Sequence, residues 1–298
     1  MTPCLGPSKP ISLGAVILLL VTLQSIPGVA LTGTLQSPRV KESSGVALSR
    51  AHLGVLWTHN DSGDGAYLYA TDLTGADRGF VRIDGARAVD WEDIALGPCP
   101  ARRGTCLYIA DTGDNDRTRK SVVIYAVPEP DPPGKGKGPG RSAPAAALRI
   151  EYSGGPDDVE AIYVSPRDSA VYLVSKGRTG AVQLYRLPRS TWGADTVITV
   201  SPLQRLPISP FATLGRLVTS AAIRPDGRLV AIRTYTEIYT FVPDDGGRLT
   251  PSGWPACNIT GLEVQGEALD FLDDSTFVLT SEADRRGRGS IHSVRCPK

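Results

Sequence analysis

The chain has 298 residues, with 32 Lys+Arg against 31 Asp+Glu and a formal net charge of +1. That balance argues against a basic surface for a nucleic-acid polymer and against an acidic disordered tail. Apolar residues make up 41% of the chain, enough for a buried core, but 32 Gly and 24 Pro interrupt helices too often for a helical bundle.

In chain order, the first feature has the form of a secretory signal: Lys9, the apolar run Ile11–Leu23 and the small-residue stretch Gly28-Val29-Ala30, with cleavage expected after Ala30. The competing reading is an uncleaved anchor, which would need Gln24, Ser25 and Pro27 to be tolerated within a span of about 20 residues. Cleavage removes one Lys and no acid, so residues 31–298 are expected to form a neutral, secreted or extracytoplasmic domain. It would have no stable membrane span and would be a monomer. Cys99, Cys106, Cys257 and Cys296 then remain, an even count that favours disulfides in an exported protein. Cys99 and Cys106 flank a short Pro/Arg/Gly loop and are expected to bridge it, and Cys257 and Cys296 would tie a late segment to the chain end. Zinc is the alternative, but no His lies near the Cys99/Cys106 pair.

Beyond the signal, short alternating apolar segments bounded by Gly, Pro, Asp and Ser recur throughout, an all-β pattern. One segment type occurs five times: Ser44-Gly-Val-Ala-Leu, Glu92-Asp-Ile-Ala-Leu, Glu160-Ala-Ile-Tyr-Val, Thr219-Ser-Ala-Ala-Ile and Glu267-Ala-Leu-Asp-Phe. Each is followed by a second strand, such as Leu107–Ala110 or Val171–Ser175, and a third, clearest in Ile124–Pro128 and Leu184–Pro188. Gly79–Ile83, Ala147–Tyr152, Val197–Val200 and Ile259–Val264 supply candidate fourth strands. The repeats begin 48 to 68 residues apart, one four-stranded unit each, which predicts a five-bladed β-propeller. The last unit lacks an outer strand, and Leu31–Gln36 has no unit of its own, so the N-terminal strand is expected to close the ring and cover an edge. Residues 131–146, rich in Gly and Pro, are expected to be a flexible loop.

First strands of a propeller line its channel, so Ser44, Glu92, Glu160, Thr219 and Glu267 should converge near the axis. Carboxylates brought that close repel one another unless they are protonated, share a cation or face a water-filled channel. An oxygen-only ring suits Ca2+. A second set of polar residues ends the second strands: Asn60, Asp61, Asp111, Lys176, Arg233 and Glu282. Asp61 or Asp111 would accept a proton from an attacking water, while Asn60, Lys176, Arg233 and Glu282 would orient a substrate. The loops at 61–65 and 111–116 also carry the residues that tight turns require, and the two roles are compatible. His59 is the one histidine beside this set and is read as structural, and no Gly-x-Ser-x-Gly elbow occurs.

The ring order Ser, Glu, Glu, Thr, Glu resembles that of the soluble calcium-activated nucleotidases, or apyrases. Lys41-Glu42-Ser43-Ser44, Asn60-Asp61-Ser62-Gly63 and Thr280-Ser281-Glu282-Ala283-Asp284 extend the likeness. The resemblance implies a secreted propeller with a central calcium that hydrolyses nucleoside di- and triphosphates. Asp90–Asp93 and Gly113–Asn115 are instead similar to segments of exported bacterial propellers. Two departures from the nucleotidase pattern stand out: few basic residues are available for phosphates, and Asp61 is followed by Ser-Gly-Asp where an Arg is expected. The resulting expectation is an exported calcium-binding propeller that hydrolyses phosphate esters or anhydrides. The alternative is a non-catalytic module for a protein or glycan partner. Ester or lactone hydrolysis fits the same ring but lacks a suitable His.

Overall fold

Short strands whose side chains alternate apolar on both faces need an apolar partner on each side, and a ring of small sheets supplies two to every sheet. A computed structural model describes Met1, residues 28–211 and residues 215–298 and shows that arrangement, a five-bladed β-propeller with one short 3-10 turn at Arg189–Thr191. The signal expectation falls on residues outside those described, except for Gly28–Ala30, which lie in the first strand.

That strand, β1 (Gly28–Thr34), pairs antiparallel with the last and closes the ring as expected, though it starts three residues before Leu31. Blade 1 contains β2 (Ser43–Leu48), β3 (Leu56–Asn60), β4 (Tyr67–Thr71) and β5 (Phe80–Arg82). Blade 2 follows with β6 (Trp91–Pro98), β7 (Thr105–Asp111), β8 (Val122–Pro128) and, after the short β9 (Gly140–Arg141), β10 (Ala146–Tyr152). Blade 3 has β11 (Val159–Val164), β12 (Val171–Ser175) and β13 (Gln183–Leu187), then β14 (Ile198–Val200) intervenes before its outer strand β15 (Pro202–Arg205). Blade 4 comprises β16 (Val218–Ile223), β17 (Val230–Thr234), β18 (Glu237–Pro243), β19 (Leu249–Pro251) and β20 (Cys257–Asn258). Blade 5 is β21 (Gly266–Phe271), β22 (Thr276–Ala283) and β23 (Gly289–Arg295), with β1 at its edge.

Alternation explains the core. On β11, Ala161 and Tyr163 pack towards blade 4 while Ile162 and Val164 pack towards blade 2. Repeated around the ring, this gives five apolar clusters, one in each blade-to-blade interface.

Three segments differ from expectation at the outer edges, where apolar patterning is weakest. Val197–Val200 does not finish the third blade: it contains β14, which pairs parallel with β10 on blade 2. The third blade's own outer strand is β15, whose starting Pro and polar Gln204 and Arg205 hide it in the sequence; a proline is tolerated on such an edge. Ile259–Val264 is not a strand either, and the fourth blade ends in β19. Within residues 131–146, β9 pairs parallel with β5, and Ser142 and Ala145 donate backbone hydrogen bonds to Arg82 and Asp84 of blade 1. In both cases the connection between a blade's third and fourth strands reaches back to cover the edge of the preceding blade.

Both expected disulfides form. Cys99–Cys106 spans the β6–β7 turn, and Cys257–Cys296 links β20 of blade 4 to the end of blade 5. Their sequence separations are 7 and 39 residues. Loop-closure entropy therefore assigns about 2.5 kcal/mol to the first and about 4 kcal/mol to the second. Replacing Cys257 and Cys296 by Ala should lower the denaturant-unfolding free energy more than replacing Cys99 and Cys106; the reverse order would show that the blade 4–5 junction is held by other contacts.

Candidate site at the channel mouth

The second residue of every inner strand is bulged. Strand pairing skips Ser44 on β2, Glu92 on β6, Glu160 on β11, Thr219 on β16 and Glu267 on β21. A bulge leaves one residue outside the ladder and re-aims its side chain, so the five expected ring residues share a conformation as well as a repeat position. The next residues are Gly45, Asp93, Ala161, Ser220 and Ala268. Four of these are small, and the fifth, Asp93, is fully buried and accepts hydrogen bonds from Ile94 N, Ile162 N, Ser220 Oγ and Ala221 N at 2.9–3.2 Å.

Of the ring residues, Glu92 and Glu160 are brought together and joined by Asp158, their carboxylate oxygens within 4.8 Å of one another. Glu92 also groups with Asp61 and Asp90 at the same spacing. Ser44 Oγ donates to the Glu92 backbone carbonyl at 2.6 Å, so its proton serves the frame. Glu267 accepts from Tyr235 Oη and Gln265 Nε2, both at 3.1 Å. Thr219 Oγ1 is buried with no hydrogen-bond partner among the described residues, and so is Asp61 Oδ1.

The second set separates by role. Lys176 enters the ring, its Nζ 2.5 Å from Glu160 Oε1. Glu282 lies at the mouth and accepts from Gln265 Nε2 at 2.6 Å. Asn60 uses its whole amide on the loops, accepting from Lys41 N and Glu42 N and donating to Arg39 O and Asp64 Oδ2. Asp111 accepts from Asp90 N at 3.1 Å and pairs with Arg119 at 2.9 Å, which fixes the loop carrying Asp90. Arg233 is buried between blades 4 and 5, where it donates to Ala268 O and Thr280 O and pairs with Glu263. His59 is buried against Trp91, and loss of hydration lowers its pKa to about 4, so it stays neutral near pH 7.

Asp90, Asp158, Gln265 and Tyr235 complete the mouth and were not singled out by the sequence reading. A signal existed for three of them. Glu42, Asp90, Asp158 and Gln265 each stand two residues before a ring residue, the spacing that puts side chains on one face of an extended chain. Gly113 permits the crowding: a Cβ there would fall 2.0 Å from Glu92 Oε1 and 2.6 Å from the Asp90 carboxylate.

Burial among like charges sets the electrostatics. Loss of hydration, reinforced by neighbouring carboxylates, raises Glu92 well above the usual range and raises Asp61 and Glu282 to about 7. For Glu160, burial outweighs the opposing Lys176 charge and leaves the pKa at about 8. Burial lowers the Lys176 pKa, but Glu160 more than offsets this and keeps the ammonium charged. The mouth is therefore short of positive charge.

Similarity to solved structures is distant. A chain of a nidogen/laminin complex aligns with 81% of this chain and 73% of its own, at 13% identity and a TM-score of 0.47. A glucose dehydrogenase aligns over 90% and 99%, at 12% identity and 0.47, and the Dos1 propeller over 80% and 52%, at 14% and 0.36. None of these likenesses bears on activity. No family model and no curated protein matches the chain, so the comparisons do not support the nucleotidase resemblance.

The raised carboxyls make a pH prediction. Asp61, Glu160 and Glu282 bind protons more tightly in the folded state than in the unfolded one, so the stability they contribute is complete below their unfolded pKa values and is lost as pH rises through about 7 to 8. In metal-free buffer the melting temperature should fall between about pH 6.5 and about pH 8.5. A flat profile would mean that their charges are already compensated.

Proposed function

We propose that the mouth is a divalent-cation site suited to Ca2+, and that the protein is an exported propeller that uses the cation to hydrolyse a phosphate ester or anhydride. The observation that carries this reading is the two carboxylate groups that share Glu92, Asp61/Asp90/Glu92 and Glu92/Asp158/Glu160, with Asp61 Oδ1 buried and unpartnered among the described residues, as is Thr219 Oγ1 on the equivalent bulge of blade 4. Buried polar atoms are rarely left unsatisfied, and carboxylates with a hydroxyl are a donor set that Ca2+ takes. Glu92, Asp158, Glu160 and Thr219 are the candidate ligands, with Asp90 beside them.

Bound there, the cation would supply Lewis acidity towards a phosphoryl oxygen and a more acidic water. Asp61, half-exposed with one oxygen free, is the group suited to take a proton from that water. Asp111, whose carboxylate holds the Asp90 loop, is less suited. Lys176 and Arg178 now hold Glu160 and Asp158; a cation on those carboxylates would free both side chains to meet a phosphate. The same two ion pairs favour a second reading, a metal-free binding module whose mouth is neutralised from within. Export is supported by the two disulfides, which suit an oxidising compartment, and no helix among the described residues is long and apolar enough to cross a membrane.

Calorimetric titration of metal-stripped protein with Ca2+, together with phosphate release from nucleoside diphosphates, tests both readings. Saturable binding that raises the melting temperature is expected, weakened at least about tenfold by Glu92→Gln. Turnover should require Ca2+ and fall about a hundredfold or more in Asp61→Asn. Absence of saturable binding would remove the cation site and the hydrolase with it, whereas binding without turnover would leave the binding module.

A further inference from the structure

At the opposite end of the inner strands, turns of blades 3 and 4 enclose a cavity of about 210 Å³. Its inner wall is Tyr163, near the end of β11, whose ring stacks on that of Tyr172 with centroids 4.8 Å apart and planes 3° from parallel. Tyr163 is only 1% exposed, yet its hydroxyl has no hydrogen-bond partner among the described residues. An unsatisfied buried hydroxyl costs about 1–3 kcal/mol, a cost the other four blades avoid at this repeat position. The corresponding positions in the other blades are Ala47, Ala95, Ala222 and Asp270, and Asp270 is satisfied by Leu48 N and Phe271 N. A large phenol therefore breaks the repeat in one blade, at a cavity. Gly247, at φ +84, keeps the next turn clear, since a Cβ there would fall 1.9 Å from Tyr172 Oη.

The charges around the cavity select against an anion. Arg167 pairs with Asp245 at 2.9 Å and Asp168 with Arg186 at 2.7 Å, while Asp244 is open to solvent. What remains is the Tyr163 hydroxyl and the Asp244 carboxylate, an acceptor for hydroxyl groups, beside the stacked tyrosine rings. We infer that this cavity binds a neutral polyhydroxylated molecule the size of a monosaccharide, with the Tyr163 hydroxyl making the buried hydrogen bond to it. The site is independent of the cation site, which lies at the other end of the channel.

Calorimetry with glucose, galactose, mannose, N-acetylglucosamine and myo-inositol, and with choline as a cationic control, tests the inference on the full chain. At least one of the neutral probes should bind saturably. Tyr163→Phe should weaken that binding about tenfold, the loss of one hydrogen bond, while the melting temperature stays level or rises because an unsatisfied group has gone. No binding by any neutral probe, binding by choline alone, or undiminished binding to Tyr163→Phe would each overturn it.

Discussion

The ring depends on how five sheets whose inner strands pair only within their own blade are kept in register around an axis, and the Asp93 carboxylate is central to the answer. It leaves blade 2, accepts a backbone N–H from blade 3, and accepts both a hydroxyl and a backbone N–H from blade 4. Ser220 passes the chain on by accepting Leu269 N of blade 5. Ser44 joins blade 1 to blade 2, and Asp270 joins blade 5 to blade 1. Burying a carboxylate is costly unless it is fully hydrogen-bonded, and the burial here pushes the Asp93 pKa well up despite those donors. The apolar interfaces account for cohesion, but they are interchangeable by nature. The polar stitching is directional and admits one rotation of each blade.

That constraint reaches the mouth directly, because Asp93 is the neighbour of Glu92. With Asp93 held from three sides, the bulge before it cannot relax, and Glu92 is fixed between the Asp61/Asp90 group and the Asp158/Glu160 group. Ser220 and Thr219 stand in the same relation on blade 4. The frame thus holds a cluster of oxygens together against their own repulsion, leaving two of them unpartnered, and positioning of this kind is what a cation site needs before the cation arrives. Lys176 is the measure of the demand: a long, strongly hydrated side chain is drawn into burial to sit on Glu160.

What the sequence disclosed follows the strength of its patterns. Inner strands repeat because every one must be apolar on both faces and carry a polar lead residue, so the number of blades and the five ring positions were readable from Ser44, Glu92, Glu160, Thr219 and Glu267. The outer strands touch one neighbour and solvent, and their weaker alternation let Val197–Val200 pass for an edge that β15 supplies. The bulge has no compositional mark beyond the small residue after it. Lys176 and Arg233 both close second strands, but by pairing register Lys176 corresponds to Tyr235 and Arg233 to Val174; Lys176 and Tyr235 reach the mouth, and Arg233 turns beneath Gly266, whose missing Cβ leaves room for the guanidinium. A two-residue offset in pairing register, which the sequence alone does not mark, separates them.

Breaks in the repeat therefore carry more information than the repeat. Where all five blades agree, the residue answers to closure of the ring, and a neutral physical reason is enough. Asp93 among small residues is one departure, and its four hydrogen bonds explain it fully as part of the frame. Tyr163 among alanines and an aspartate is another, and the frame does not explain it, because stacking on Tyr172 would be served as well by a phenylalanine while the hydroxyl remains unsatisfied. Thr219 is the same kind of residue at the mouth. A polar atom that the fold buries but does not use is a cost, and in a structure that satisfies its axial carboxylates so thoroughly, those atoms mark the places where something other than the fold set the side chain.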